Sequence, residues 1–220
     1  MTTEGIQSLG PPPQRHADRV VAAMLRDLAR KHVTVGNAIV EAIGNSSDGS
    51  PKAQAKMAER IRRAGARHVQ LYPGKRGRYE VIIHDFTGWD PSREAEICPD
   101  DPIPEKPWIA CYVTSFKSTG GGRHHFDLKS RPLLFISHHA MSRAAQRLDM
   151  RTSADLMADA TAIWNSAVKL LNEKGLDAAL QPPPAGWRVP LVHINPPAFV
   201  VLQRHRDDKR NALVAATVIG

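Results

Sequence analysis

One stretch of the chain concentrates side chains that can transfer protons and bind anions. It runs from residue 137 to residue 147 as Ser-His-His-Ala-Met-Ser-Arg-Ala-Ala-Gln-Arg and contains no acidic residue. In a helix each residue turns by about 100°, so His139, Arg143 and Arg147 would lie along one face. An imidazole exchanges protons near neutral pH, and guanidiniums match phosphate oxygens in two-point contacts. The spacing therefore predicts a site for an anion.

Structural roles would explain the same residues equally well. His139 would then cap the helix or rest against Ser137. The two arginines would instead pair with nearby acids, namely Asp149, Asp155 and Asp159. His138 points about 100° away from His139 on a helix, so we expect one functional imidazole from this pair. No His-x-x-x-His or Cys-x-x-Cys spacing occurs, and a metal site is not predicted.

The surrounding segments predict an α+β fold, with an antiparallel sheet packed against helices and a helical N-terminal extension. Helical spacing of apolar residues, with Ser50 and Pro51 as a start signal, predicts helices at 15–31, 33–43 and 51–64. Another helix is predicted from Thr152 or Ser153 to about Lys174. Alternating and β-branched segments predict strands at 67–72, 78–86, 109–117, 123–128, 133–136, 187–194, 198–203 and 213–219.

These elements divide the chain into four predicted regions. They are a flexible tail (1–14), a helical region (15–65), a strand-rich region (66–132) and an α+β domain (133–220). Within the strand-rich region, residues 85–107 are rich in proline and acidic residues, which predicts a long irregular loop.

The composition favours an acidic partner and a reducing compartment. The formal net charge is +8 and the pI about 9.8, which favours nucleic acid, although a solvated basic surface is the alternative interpretation. The two cysteines, Cys98 and Cys111, are too few for a disulfide scaffold, so we expect a cytoplasmic protein. No signal-type start and no apolar run of transmembrane length occur, so we expect no membrane partner.

The region 133–220 resembles the ribonuclease-toxin superfamily built on the barnase, colicin and RelE-like fold. The resemblance consists of a Ser-x-His-Ala-x-x-Arg-x-x-x-Arg helix start, a second helix and a strand set that ends Ala-Thr-Val-Ile. The residues that match are Ser137, His139, Ala140, Arg143, Arg147 and Thr217. The resemblance implies a metal-independent ribonuclease without a cofactor, acting as a toxin or defence effector of a bacterium or phage.

The resemblance also implies roles for individual residues. His139 would be the acid or base, Arg143 and Arg147 would clamp phosphate, and Thr217 would supply a hydroxyl from the last strand. His193 or His205 would complete a proton-transferring pair. Independently of the resemblance, the basic charge of the turn before the last strand predicts that it binds nucleic acid through Arg204, His205, Arg206, Lys209 and Arg210. RNA and a neutralising antitoxin are the implied partners. The alternative is a nucleic-acid- or protein-binding module that kept the fold and lost catalysis.

Overall fold

The computed structural model describes residues 14–44, 51–66, 68–73, 79–89, 108–118, 126–147, 152–191, 198–204 and 211–219. The helices are α1 (Gln14–Gly44), α2 (Pro51–Arg63), α3 (His138–Arg147), α4 (Ser153–Lys174) and α5 (Leu176–Ala179). The strands are β1 (His68–Pro73), β2 (Tyr79–Trp89), β3 (Trp108–Ser118), β4 (Phe126–Ile136), β5 (Trp187–Pro190), β6 (Phe199–Arg204) and β7 (Leu213–Ile219). The seven strands have the order β1-β2-β3-β4-β7-β6-β5. The predicted α+β fold is confirmed.

The chain forms two compact units. The first contains residues 1–24, 137–203 and 215–220, and the second contains 25–136 and 204–214. The predicted boundary at 133 lies close to the change of unit at Ser137. However, the first unit also includes the start of α1, and the second includes residues 204–214.

The first helix is longer than the sequence predicts. Two helices were expected, at 15–31 and 33–43, but α1 continues from Gln14 to Gly44. Thr34 lies two residues after the expected break at residue 32, and its hydroxyl donates to the carbonyl of Arg30 one turn earlier. Because this bond satisfies the hydroxyl within the helix, Thr34 does not interrupt it.

The second unit is built on four antiparallel strands, β1 to β4, each paired with the next. The apolar faces of α1 and α2 cover part of this sheet. Val35 and Ile61 form one buried cluster with Val81, Ile83 and Phe116. Burial of each large apolar side chain contributes about 1.5–3 kcal/mol, so this cluster holds the helices to the strands.

Two predictions in this unit are wrong in detail. Residues 123–128 and 133–136 do not form separate strands, because one strand, β4, runs from Phe126 to Ile136. Cys111 pairs with Leu134 and Tyr112 with Pro132, so one extra residue forms a bulge beside the proline. A bulge accommodates a residue without a backbone N–H inside a strand.

The predicted acidic loop starts later than expected. Residues 85–89 belong to β2, which extends three residues beyond the predicted strand 78–86, and Asp85 pairs across the sheet with Tyr112. Residues 90–107, the rest of the predicted loop, lie outside the described residues.

The first unit is organised around α4. Of the two predicted starts, Thr152 is the N-cap, and it forms a capping box: the Thr152 hydroxyl accepts from the Asp155 backbone N–H, and the Asp155 carboxylate accepts from the Thr152 backbone N–H. Gly175 ends the helix, as the sequence predicts. Along α4, the residues that face the core include Leu156, Ile163 and Ala167, all buried.

None of the helices in the described part of the chain has the length and hydropathy needed to cross a membrane.

Candidate active site

Ser137 fixes the start of α3 against the last strand. Its backbone N–H donates to the carbonyl of Ala215 at 3.1 Å, and its hydroxyl donates to the carbonyl of Ala216 at 3.1 Å. The same hydroxyl accepts from the backbone N–H of Ala140 at 3.1 Å. This last contact is a helix N-cap, worth about 1 kcal/mol. Ser137, rather than His139, therefore caps α3.

The two faces of α3 differ sharply in exposure. Four residues are fully buried, namely Ala140, Met141, Ala144 and Ala145. On the other side, His139 and Arg143 are exposed and lie one turn apart. The buried alanines place the helix close to its neighbours, and the packing leaves the imidazole and the guanidinium at the surface.

Electrostatics favour the neutral form of His139. Partial burial is the main cause that lowers its pKa below the ordinary histidine value, and the positive Arg143 and the neighbouring His138 lower it further. The imidazole is therefore mostly neutral at pH 7, and in this form it can accept a proton.

Within the described ranges Arg143 has no carboxylate at ion-pair distance. Of the acids considered as its structural partners, Asp155 and Asp159 are described, and Asp149 lies outside the described residues. Arg147 is the last residue of α3, and its side chain lies outside what the structure describes.

His138 has a different role from its neighbour. Its Nε2 lies 3.1 Å from Oδ1 of Asp18 in α1, and the Ser142 hydroxyl donates to the same oxygen at 3.0 Å. The His138 side chain is 11% exposed, and Asp18 is half-buried. One carboxylate oxygen thus ties the first turns of α3 to α1. The structure thus places His138 in a hydrogen bond to α1 and His139 at the surface.

Nδ1 of His138 is buried and has no hydrogen-bond partner in the described part of the chain. Because Asp18 accepts at Nε2, that nitrogen carries the proton in the neutral ring, and Nδ1 keeps its lone pair. The pair therefore holds His138 in one tautomer and one orientation.

Asp18 and Ser142 were not among the predicted site residues. A signal for Asp18 existed, because it lies three residues before Val21 and seven before Leu25, on the buried face of α1. A carboxylate on such a face requires a polar partner. The sequence does not identify that partner, which lies 120 residues away.

Of the remaining predicted site residues, the structure describes Thr217 and Arg204. Thr217 is half-buried in β7, next to the carbonyl of Ala216 that accepts from Ser137, but its hydroxyl bonds to neither His139 nor Arg143. Arg204 is exposed at the end of β6, in the second unit. The others lie outside the described residues: His193, His205, Arg206, Lys209 and Arg210. Among described residues, no group of three or more histidines, cysteines or acids is placed to hold a metal ion.

No protein-family model, no curated protein and no solved structure matches this chain. The resemblance to the ribonuclease-toxin superfamily therefore depends on the motif residues themselves. The function is therefore inferred from the chemistry of His139 and Arg143 on the exposed face of α3.

Proposed function

We propose that this chain is a metal-independent ribonuclease that acts as a toxin or defence effector of a bacterium or phage. The observation that carries the proposal is the exposed pair His139 and Arg143 on α3. The neighbouring polar residues Ser137, His138 and Ser142 are engaged in bonds that position the helix. A neutral imidazole beside a cation suits a reaction that removes a proton and stabilises a developing anion.

In this proposal His139 removes the proton of an RNA 2′-hydroxyl. The 2′-oxygen then attacks the adjacent phosphorus, and the bond to the 5′-oxygen breaks. The leaving 5′-oxygen takes a proton from an acid, for which His193 is the candidate. The products are a 2′,3′-cyclic phosphate and a free 5′-hydroxyl. Arg143, with Arg147 as a second clamp, contacts the non-bridging oxygens while their charge increases.

Two further parts of the proposal concern partners and compartment. An antitoxin would neutralise the protein by covering His139 and Arg143. A cytoplasmic location suits an RNA substrate and agrees with the free, fully buried thiol of Cys111.

The proposal is tested with purified wild-type and His139→Ala chains on single-stranded, duplex and structured RNA, in the presence of a chelator. We expect cleavage by the wild type and loss of cleavage in His139→Ala with unchanged thermal unfolding. His16→Ala is the matched control, because His16 is another exposed helical histidine of the same unit. A wild type that binds RNA in a salt-dependent manner without cutting it would support the non-catalytic binding module instead.

A further inference from the structure

The second unit contains a histidine–carboxylate pair that the proposed ribonuclease site does not use. Nδ1 of His32 in α1 lies 2.6 Å from Oδ2 of Asp85 in β2. The Asp85 side chain is 9% exposed, whereas that of His32 is 45% exposed. A buried carboxylate thus holds one nitrogen of a half-exposed ring. Nε2 of His32 makes no hydrogen bond to any residue that the structure describes.

The charge state of His32 suits an anionic ligand. The hydrogen bond to Asp85 raises the pKa of His32 above the ordinary value, although burial opposes this shift. The ring therefore keeps its positive charge to higher pH than a free histidine. In that form Nε2 carries a proton that it can donate to a phosphate oxygen.

An aromatic side chain lies next to this cation. Tyr112 is directly opposite Asp85 across the β2–β3 pair, so both side chains are on the same face of the sheet. The His32 and Tyr112 rings have centroids 6.2 Å apart and planes tilted by 33°. Tyr112 is half-buried and packs with Trp108 against a small apolar cluster around Ala110 and Phe135.

Two hydroxyl groups continue this face. Thr114 is two residues beyond Tyr112 on β3, and therefore on the same side of the sheet. Its hydroxyl lies 2.8 Å from that of Ser130, its partner on β4. Ser130 is exposed and Thr114 is half-buried. Each hydroxyl both donates and accepts, so the pair can bond to polar edges of a ligand as well as to each other.

We propose that His32, Tyr112 and the Thr114–Ser130 hydroxyl pair bind one nucleotide unit. The phosphate lies at Nε2 of His32, the base stacks on the Tyr112 ring, and the hydroxyl pair bonds to the ribose or the base edge. Asp85 is a positioning residue that orients His32. Stacking on aromatic side chains combined with a cation for the phosphate is the general mode by which proteins bind single-stranded nucleic acid. That the nucleotide belongs to RNA rests on the proposed function.

The test is a titration with three probes, namely AMP, adenosine and inorganic phosphate, followed by NMR signals of the His32 and Tyr112 rings. AMP is expected to bind and to shift both rings. His32→Gln should weaken AMP and phosphate about tenfold and leave adenosine unchanged, because the neutral amide retains a bond to Asp85 but loses the charge. Tyr112→Leu should weaken AMP and adenosine about tenfold and leave phosphate unchanged.

The controls are His16→Gln and Tyr72→Leu, which change exposed residues of the same types elsewhere on the chain. If the His32 and Tyr112 rings of the wild type do not shift at millimolar AMP, that result alone overturns the inference. Equal AMP binding by wild type and both site variants would overturn it as well.

An uncleavable 2′-O-methyl tetranucleotide that binds more tightly than AMP identifies an RNA strand as the ligand, whereas equal binding identifies a free nucleotide.

AMP binding at His32 and Tyr112 is independent of RNA cleavage by His139. The AMP-dependent shifts of the His32 and Tyr112 rings should be the same in His139→Ala as in the wild type. Cleavage without AMP binding would therefore refute this inference alone, and AMP binding without cleavage would refute the ribonuclease proposal alone.

Discussion

The carboxylate of Asp18 accepts from the imidazole of His138, 120 residues later in the chain, at 3.1 Å. This bond joins the beginning of α1 to the first residue of α3 within one unit. The helix that presents His139 and Arg143 is thus held at its start by two independent attachments, one through Ser137 to the last strand and one through Asp18 to α1.

Removal of the Asp18 carboxylate should destabilise the protein. In Asp18→Ala both His138 and Ser142 lose their acceptor, and we expect a loss of about 2 kcal/mol in the free energy of unfolding, measured by urea denaturation. Asp18→Asn should cost less, because its carbonyl oxygen can still accept. Asp27→Ala is the control: its carboxylate and Arg30 form an exposed ion pair at 3.7 Å, worth well under about 1 kcal/mol. Equal losses in Asp18→Ala and Asp27→Ala would contradict this account of α3.

The cap of α3 should matter for cleavage as well as for stability. Ser137→Ala removes one bond to the Ala140 N–H and one to the Ala216 carbonyl, so we expect a loss of about 1–2 kcal/mol. Thr152→Ala removes the cap of α4 and should cost a similar amount. RNA cleavage should fall in Ser137→Ala and remain in Thr152→Ala, both measured well below their melting temperatures. Equal cleavage by the two variants would show that the position of α3 is not critical.

The pKa of His139 should respond to Arg143. Because the guanidinium contributes to lowering this pKa, Arg143→Gln should raise it towards the ordinary histidine value. An NMR titration of the His139 ring measures the change directly, with Arg188→Gln as an exposed control. If His139 is the general base, the acidic limb of the cleavage rate should also move to higher pH in Arg143→Gln. A His139 pKa that stays constant or falls would mean that the two side chains do not interact.

Asp159 should make the protein less stable as the pH rises. The residue is 5% exposed, and Oδ2 lacks a hydrogen-bond partner in the described part of the chain. Burial, together with the nearby charge of Asp155, raises the pKa of Asp159 from 3.8 to about 7. Between these values the folded state holds a proton that the unfolded state has lost. Stability therefore falls as the pH rises through this range and stays low above it.

Asp159→Asn should remove this dependence. At pH 8 we expect the variant to be more stable than the wild type by a few kcal/mol, since each pKa unit corresponds to about 1.4 kcal/mol. At pH 4 the two should be similar. Urea denaturation at both pH values measures the difference, and Asp177→Asn serves as an exposed control on α5. A variant less stable than the wild type at pH 8 would indicate that the carboxylate is ionised and bound to a partner.

Local sequence signals predicted much of the fold. Thr152, one of the two residues proposed as its start, is the N-cap of α4, and Gly175 ends the helix. The alternation of apolar and polar residues identified the antiparallel strands β1 and β2. These features depend on residues close in sequence, so a local pattern is sufficient to find them.

The errors have physical causes that a local pattern does not reveal. Asp85 fell both at the end of the predicted strand 78–86 and at the start of the predicted acidic loop, and the imidazole of His32 in α1 makes its burial in β2 acceptable. Two strands were predicted at 123–128 and 133–136, and the bulge at Pro132 shows how one strand, β4, contains the proline between them. The N-cap bond of Ser137 is local, because its partner is three residues later. Its bonds to Ala215 and Ala216 depend on the arrangement of the sheet, which a local pattern does not reveal.

The central claim is tested most directly with an RNA that the protein cleaves at one mapped position. A second oligonucleotide has a single 2′-deoxy substitution at the nucleotide that supplies the attacking hydroxyl. We predict that the wild type converts the first RNA into a 2′,3′-cyclic phosphate and a 5′-hydroxyl fragment, detected by mass spectrometry. It should leave the deoxy substrate intact, and His139→Ala should leave both intact. Cleavage of the deoxy substrate, or undiminished cleavage by His139→Ala, would contradict the account.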